Sequence, residues 1–127
     1  MKHSELTSTI IAICIKVHDK LGPGLLESVY EEVICYELKK QNISFQRQKG
    51  IPVLYDDIQF DLGFRADIVV ENKVILEIKS VEMLSSIHPK IVITYLKLSG
   101  IEVGLLINFK VPYLKEGITR LVMDKRN

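Results

Sequence analysis

Three charged residues interrupt the most aliphatic stretch of the chain. In ADIVVENKVILEIKS, Ala66 to Ser80, the residues Asp67, Glu77 and Lys79 stand among Val, Ile and Leu. A charge in a buried strand is costly unless it is paired or put to use. Along Val74–Lys79 the side chains alternate, so Ile75, Glu77 and Lys79 share one face and Val74, Leu76 and Ile78 the other. Glu77 and Lys79 then lie roughly 7 Å apart along the strand. Asp67 joins them in only one loop register. If Val70 pairs with Val74 across Glu71-Asn72-Lys73, Asp67 falls opposite Glu77. A loop one residue shorter puts it opposite Ile78, on the wrong face.

Two carboxylates converging in a cleft repel each other and favour a bound divalent cation. Hard oxygen ligands without a nearby His or Cys point to Mg²⁺ or Mn²⁺ rather than Zn²⁺. The main-chain carbonyl of Ile78 offers a further ligand. Lys79 beside such an ion is a point charge suited to a phosphate oxygen or an activated water. Together these are the parts that phosphodiester hydrolysis needs. The alternative is a solvated strand face that happens to carry a Glu and a Lys. The aliphatic density of the strand weighs against it.

The surrounding elements must position these groups. Leu6, Ile10, Ile13, Val17 and Leu21 recur at helical spacing and predict an amphipathic helix over about 5–21, stopped by Gly22-Pro23-Gly24. A second helix is expected over about 25–41, with Leu26, Val29, Tyr30 and Val33 on its apolar face and Asn42 at its end. Beyond Ile43 the period shortens. Strands are expected over 44–55, 58–64, 66–70 and 74–79, with a turn at Asp56-Asp57. Ser85-Ser86 offers caps and Pro89 a first turn for a helix over about 88–99, which Gly100 ends. Glu102–Phe109 and Ile118–Met123 complete the set as strands. The predicted order is ααββββαββ, an α/β fold in a single domain spanning 1–127.

The chain of 127 residues is long enough to bury a core without metal or disulfide support. A net charge of +1 does not mark a nucleic-acid binder, although a local basic cleft remains compatible with it. No apolar run approaches the ~18 residues of a membrane span, and the N-terminus lacks the pattern of a signal peptide. Cys14 and Cys35, on different predicted helices, read as buried thiols of a cytoplasmic protein.

The motif D-x9-E-x-K, after a run of strands and before a helix, resembles the PD-(D/E)xK nuclease-like superfamily. GLLESVY, with Gly24, Glu27 and Tyr30, resembles the signature of the GxxExxY proteins within it. RADIVVENKVILEIKSVE, YLKLSG and VGLLINF resemble the other blocks of that family in the same order, so the likeness runs over about residues 5–123. It implies a restriction-endonuclease-like core, a mixed β-sheet flanked by helices, and a metal-dependent nuclease site. Asp67 and Glu77 would hold the metal, with Ile78 adding its carbonyl, and Lys79 would be the catalytic lysine. Glu27 matches a helix glutamate that approaches the same site, and Tyr30 and Glu31 follow it at helical spacing. Related sequences tend to carry Gln four residues before the Tyr of Y-L-K. Here that position is Ile91.

Further residues have two readings each. Arg65 holds a phosphate or pairs with Asp67. Tyr30, Tyr95 and Lys97 contact substrate, or Tyr30 belongs to the core. His88 is a capping residue or a base. Arg47, Lys49 and Lys73 line a nucleic-acid path or are scattered surface charges, and Lys125-Arg126-Asn127 is a frayed tail. The resulting expectation is a Mg²⁺- or Mn²⁺-dependent nuclease acting on DNA or RNA. The alternative is a catalytically weak or inactive binding module on the same fold, working as a homodimer or with a protein partner.

Overall fold

The computed structural model describes residues 2–123. Two helices come first, α1 (Ser4–Leu21) and α2 (Glu27–Lys40). Strands β1 (Phe45–Tyr55), β2 (Ile58–Val70) and β3 (Val74–Lys79) follow. Then come α3 (Ile87–Ser99), β4 (Val103–Asn108), a 3₁₀ turn (Leu114–Gly117) and β5 (Ile118–Val122). The five strands form one sheet in the order β1-β2-β3-β4-β5. β3 and β4 run parallel and every other neighbouring pair is antiparallel, so the sheet is mixed. The C-terminal Lys125-Arg126-Asn127 lies outside the described residues.

The predicted class holds, with one strand fewer before α3. Residues 58–64 and 66–70 are not two strands but one, β2. The irregularity inside this span is a bulge, where the β1–β2 register shifts between Ile51 and Val53. Gly63 is needed there for space, since any Cβ on it would stand 2.0 Å from Val53 Cγ2. Pro52 sits in the same irregular stretch, on the edge strand, where a missing N–H is tolerated.

β3 is central and covered on both faces, which explains its unbroken aliphatic run. Val74, Leu76 and Ile78 pack with Ile10, Cys14, Tyr30 and Ile34 under α1 and α2. Ile75 packs with Val69, Leu106, Val92 and Leu96 under α3. Each fully buried aliphatic side chain contributes about 1.5–3 kcal/mol. Glu77, only 6% exposed, is the exception in this strand.

α2 departs from the expected face. Leu26 is 74% exposed and precedes the helix, and Val29 is exposed as well. The buried side is instead Tyr30, Ile34 and Leu38, at i, i+4 and i+8, with Cys35 beside them. α3 ends as predicted, with Gly100 in the left-handed region at φ 76°. Its start is capped differently. Neither serine side chain caps the helix; Nδ1 of His88 accepts the N–H of Ser85 at 3.0 Å. Both cysteines are buried free thiols, and burial pushes Cys14 up to about 12 and Cys35 up to about 11. No described helix is long and apolar enough to cross a membrane.

Candidate active site where two strands part

β2 and β3 pair through Val70–Val74, Val69–Ile75 and Ile68–Leu76, and the ladder stops there. The connection is the three-residue one, Glu71-Asn72-Lys73. Glu71 and Asn72 sit at positive φ, and Lys73 N–H closes on the Val70 carbonyl at 2.9 Å. Glu71 is locked by its own side chain, whose carboxylate accepts from the N–H and hydroxyl of Ser44 at 2.9 and 2.5 Å. This register places Asp67 and Glu77 next in line, across from each other.

Their main chains do not pair; their side chains do the pairing. Asp67 N–H donates to Glu77 Oε2 at 2.7 Å, and Ile78 N–H donates to Asp67 Oδ2 at 2.8 Å. Side-chain oxygens accept the main-chain N–H groups here, and the strands part around the two acids. In a strand the N–H and C=O of one residue point to the same edge. The carbonyl of Ile78 therefore faces the same gap.

The gap is walled by a polar chain from α2. Glu31, 6% exposed, accepts from Arg47 Nε at 2.5 Å and from Gln48 Nε2 at 2.7 Å. Gln48 Nε2 also reaches Asp67 Oδ1 at 3.3 Å. Gln48 manages this because its backbone takes φ 52°, out of the strand region, opposite Asp67. On the other side stands Tyr95 of α3, its ring stacked on Phe64 at 3.8 Å.

The electrostatics follow from burial. Burial raises the Asp67 carboxyl above its usual range; the Ile78 N–H opposes this and the Glu31 charge adds to it. Burial, then the charge of Asp67, pushes Glu77 up to about 8. The Lys79 ammonium favours the charged form of both acids. The Tyr95 phenol is raised by burial and by the charges of Glu77 and Asp67, which places it in their field.

Lys79 is held through its main chain. Its carbonyl accepts from Phe109 N–H at 2.8 Å. The next residue, Ser80, donates its N–H to Glu27 Oε2 at 3.0 Å and its hydroxyl to the Leu25 carbonyl at 2.8 Å. Asn108, 4% exposed, clamps Val81 with its side chain at 3.1 and 2.9 Å.

Several sequence-based placements change. Glu27 does not meet Asp67 and Glu77 as a third acid; its carboxylate is bound to the backbone just past Lys79. Among the described residues no three His, Cys, Asp or Glu side chains gather as a metal group. Tyr30 is fully buried and stacked on Phe109 at 4.4 Å. Its hydroxyl donates to the Gly22 carbonyl at 2.6 Å and accepts from Leu25 N–H at 3.1 Å, so it belongs to the core and not to a substrate surface. Arg65 reaches the carbonyl of Gln48 at 3.4 Å rather than Asp67. Lys97 is exposed and lies two residues from Tyr95, about 200° around the helix, so it points away from the acids. Arg47 is engaged by Glu31 and is not a free cation. Sequence reasoning treated Glu31 only as a helix edge and missed Gln48 and Asn108. No local signal marks Gln48, whose role depends on a backbone turn inside a strand.

A five-stranded mixed sheet flanked by helices is the architecture of a restriction-endonuclease-like α/β protein. The chain belongs to the PD-(D/E)XK nuclease superfamily, whose family model matches residues 4–121. No curated protein and no solved structure matches it.

Proposed function

We propose that this protein is a metal-dependent nuclease, hydrolysing phosphodiester bonds of nucleic acid with Mg²⁺ or Mn²⁺. The observation that supports it best is the pair of crossed bonds between Asp67 and Glu77. They fix two acids side by side in a part-buried gap, where burial and the Asp67 charge raise Glu77 and a bound cation would favour both charged forms. The donor set fits a hard divalent ion. Mg²⁺ is commonly held by one or two carboxylates, with water and substrate phosphate completing its shell. Asp67, Glu77 and the Ile78 carbonyl would hold it, and bound there it would polarise the phosphate and acidify a water.

The chain's own residues supply the rest. The Ile78 and Asp67 N–H groups orient the two carboxylates, and Gln48 steadies Asp67 from the α2 side. Lys79 offers its ammonium to the charge that develops on the phosphate oxygens. Tyr95 presents a phenol from α3 to the same space. Glu27 positions Lys79 by holding the N–H of Ser80.

Fluorescent single- and double-stranded DNA and RNA, incubated with Mg²⁺ or Mn²⁺, test this. Cleavage that disappears in Glu77→Ala and Lys79→Ala is expected. No cleavage of any of the four substrates would overturn the reading. A second reading, a binding module with a weak or inactive site, is favoured by Ile91 and by the absence, among the described residues, of three acids gathered as a metal group. Retained oligonucleotide binding without turnover, and no Glu77-dependent Mn²⁺ binding by calorimetry, would establish it.

A further inference from the structure

Two exposed apolar surfaces take no part in the candidate site, and they are bordered by opposite charges. The first is on the ribbon that β1 and β2 form beyond the point where β2 leaves β3. Tyr55 pairs with Ile58 and Val53 with Phe60, so all four lie on one ribbon face. Tyr55, Ile58 and Phe60 are 68, 59 and 53% exposed. Asp56 and Asp57 form the tip.

The second surface is the outer side of α3. Ile87, Ile91 and Leu98 recur at i, i+4 and i+11, on the side away from buried Val92 and Leu96, and are 54, 38 and 37% exposed. Lys90 and Lys97 flank this stripe. Single exposed apolar residues are ordinary, but contiguous ones mark interaction surfaces.

We infer that these surfaces pair between two copies of this chain, the ribbon of each copy lying over α3 of the other. Charge decides among the pairings. Ribbon against ribbon sets Asp56 and Asp57 against themselves. Helix against helix sets Lys90 and Lys97 against themselves. A nucleic-acid backbone on the ribbon would meet its aspartates. The crossed pairing alone brings acid to base and apolar to apolar.

Geometry agrees. Ile51 pairs with Phe64, and Phe64 stacks on Tyr95, so this ribbon face lies on the α3 side of the sheet. Val53 and Tyr55 continue that side by alternation. Both surfaces therefore face the same way, and a two-fold axis parallel to the sheet brings each over its counterpart, the self-complementary arrangement of most dimers. The ribbon runs about 14 Å past Ile51. The stripe from Ile87 to Leu98 runs about 17 Å. Ile91, out of place beside an active site, is in place at this contact.

The test is the mass of the full chain in solution by light scattering and sedimentation. The native protein is expected at twice the chain mass of 14.5 kDa. Asp56→Lys with Asp57→Lys, and separately Lys90→Glu with Lys97→Glu, are each expected to give folded monomers. An equal mixture of the two is expected to restore the dimer, because a lysine ribbon then meets a glutamate helix and a native ribbon meets a native helix. A misfolded variant would not be rescued by mixing. A monomeric native protein overturns the inference, as do a dimer that survives both pairs of changes and a mixture that stays monomeric. A native monomer whose oligonucleotide binding falls in Phe60→Ser would make the ribbon a nucleic-acid arm and overturn it too.

Discussion

Asp67 and Glu77 are bound to each other's strands and not to each other. Glu77 Oε2 takes the main-chain N–H of Asp67 at 2.7 Å, and Asp67 Oδ2 takes the N–H of Ile78 at 2.8 Å. Each acid is thus both a structural cap for a parted strand and a candidate metal ligand. The two roles separate under substitution. Asp67→Ala leaves the Ile78 N–H without its acceptor and is expected to cost about 1–3 kcal/mol of stability. Asp67→Asn keeps an oxygen for that N–H, so it is expected to fold close to the native stability and to lose cleavage at least a hundredfold. Urea titration beside a cleavage assay checks both. Lys79→Ala is expected to match Asp67→Asn in activity while changing stability little, since the bond that anchors Lys79 is made by its main-chain carbonyl, which the substitution keeps.

The second prediction concerns pH. Glu77 rises from 4.5 to about 8 on folding, first through burial and then through Asp67. Between those values the folded protein binds a proton that the unfolded chain does not. Stability therefore falls as pH rises through this window, and the loss is complete above about 8. Glu77→Gln cannot ionise, so its melting temperature is expected to pull ahead of the native protein's as pH climbs from 5 to about 8. Mn²⁺ is expected to stabilise the native protein most at the upper end of this range and to do little for Glu77→Gln. Scanning calorimetry at several pH values, with and without Mn²⁺, decides it; a gap that does not change with pH refutes the burial argument.

The hairpin was legible in the sequence because its signals are local. Period-two alternation fixed which side chains share a face, and Val70 and Val74 left a turn of three polar residues between them. What sequence could not show depends on distant contacts. Gln48 reads as an ordinary strand residue, and its left-handed backbone becomes visible only once α2 brings Glu31 over β1. Tyr30 reads as a core residue of the second helix or as a substrate contact, and only its stacking on Phe109, just past β4, decides for the core. The apolar face of α2 was misread because Leu26 precedes the helix and never enters its periodicity. Residues 58–70 read as two strands because a bulge and a break look alike until the partner strand is known.

Gln48 gives the third prediction. Its amide stands between two acids, Glu31 and Asp67, donating to both. It holds Asp67 down against burial and the Glu31 charge. Gln48→Ala removes that donor, so the Asp67 carboxyl should rise further. The acidic limb of the cleavage rate against pH is then expected to move to higher pH, with a smaller change at the alkaline end. A uniform loss of rate at every pH would mean that Gln48 only supports the fold.

The last prediction separates core from substrate surface at Tyr30. The hydroxyl joins two points of the loop ahead of α2, Gly22 and Leu25. That loop also anchors Ser80 through the Leu25 carbonyl, beside Glu27 on the same backbone. Tyr30→Phe keeps the ring on Phe109 and removes both bonds, leaving the part-buried Gly22 carbonyl and the Leu25 N–H to find water. A loss of about 1–3 kcal/mol is expected in urea. Any effect on cleavage should enter through Lys79, whose position depends on Ser80. It should therefore appear in kcat with KM unchanged. A rise in KM with native stability would instead return Tyr30 to the substrate surface.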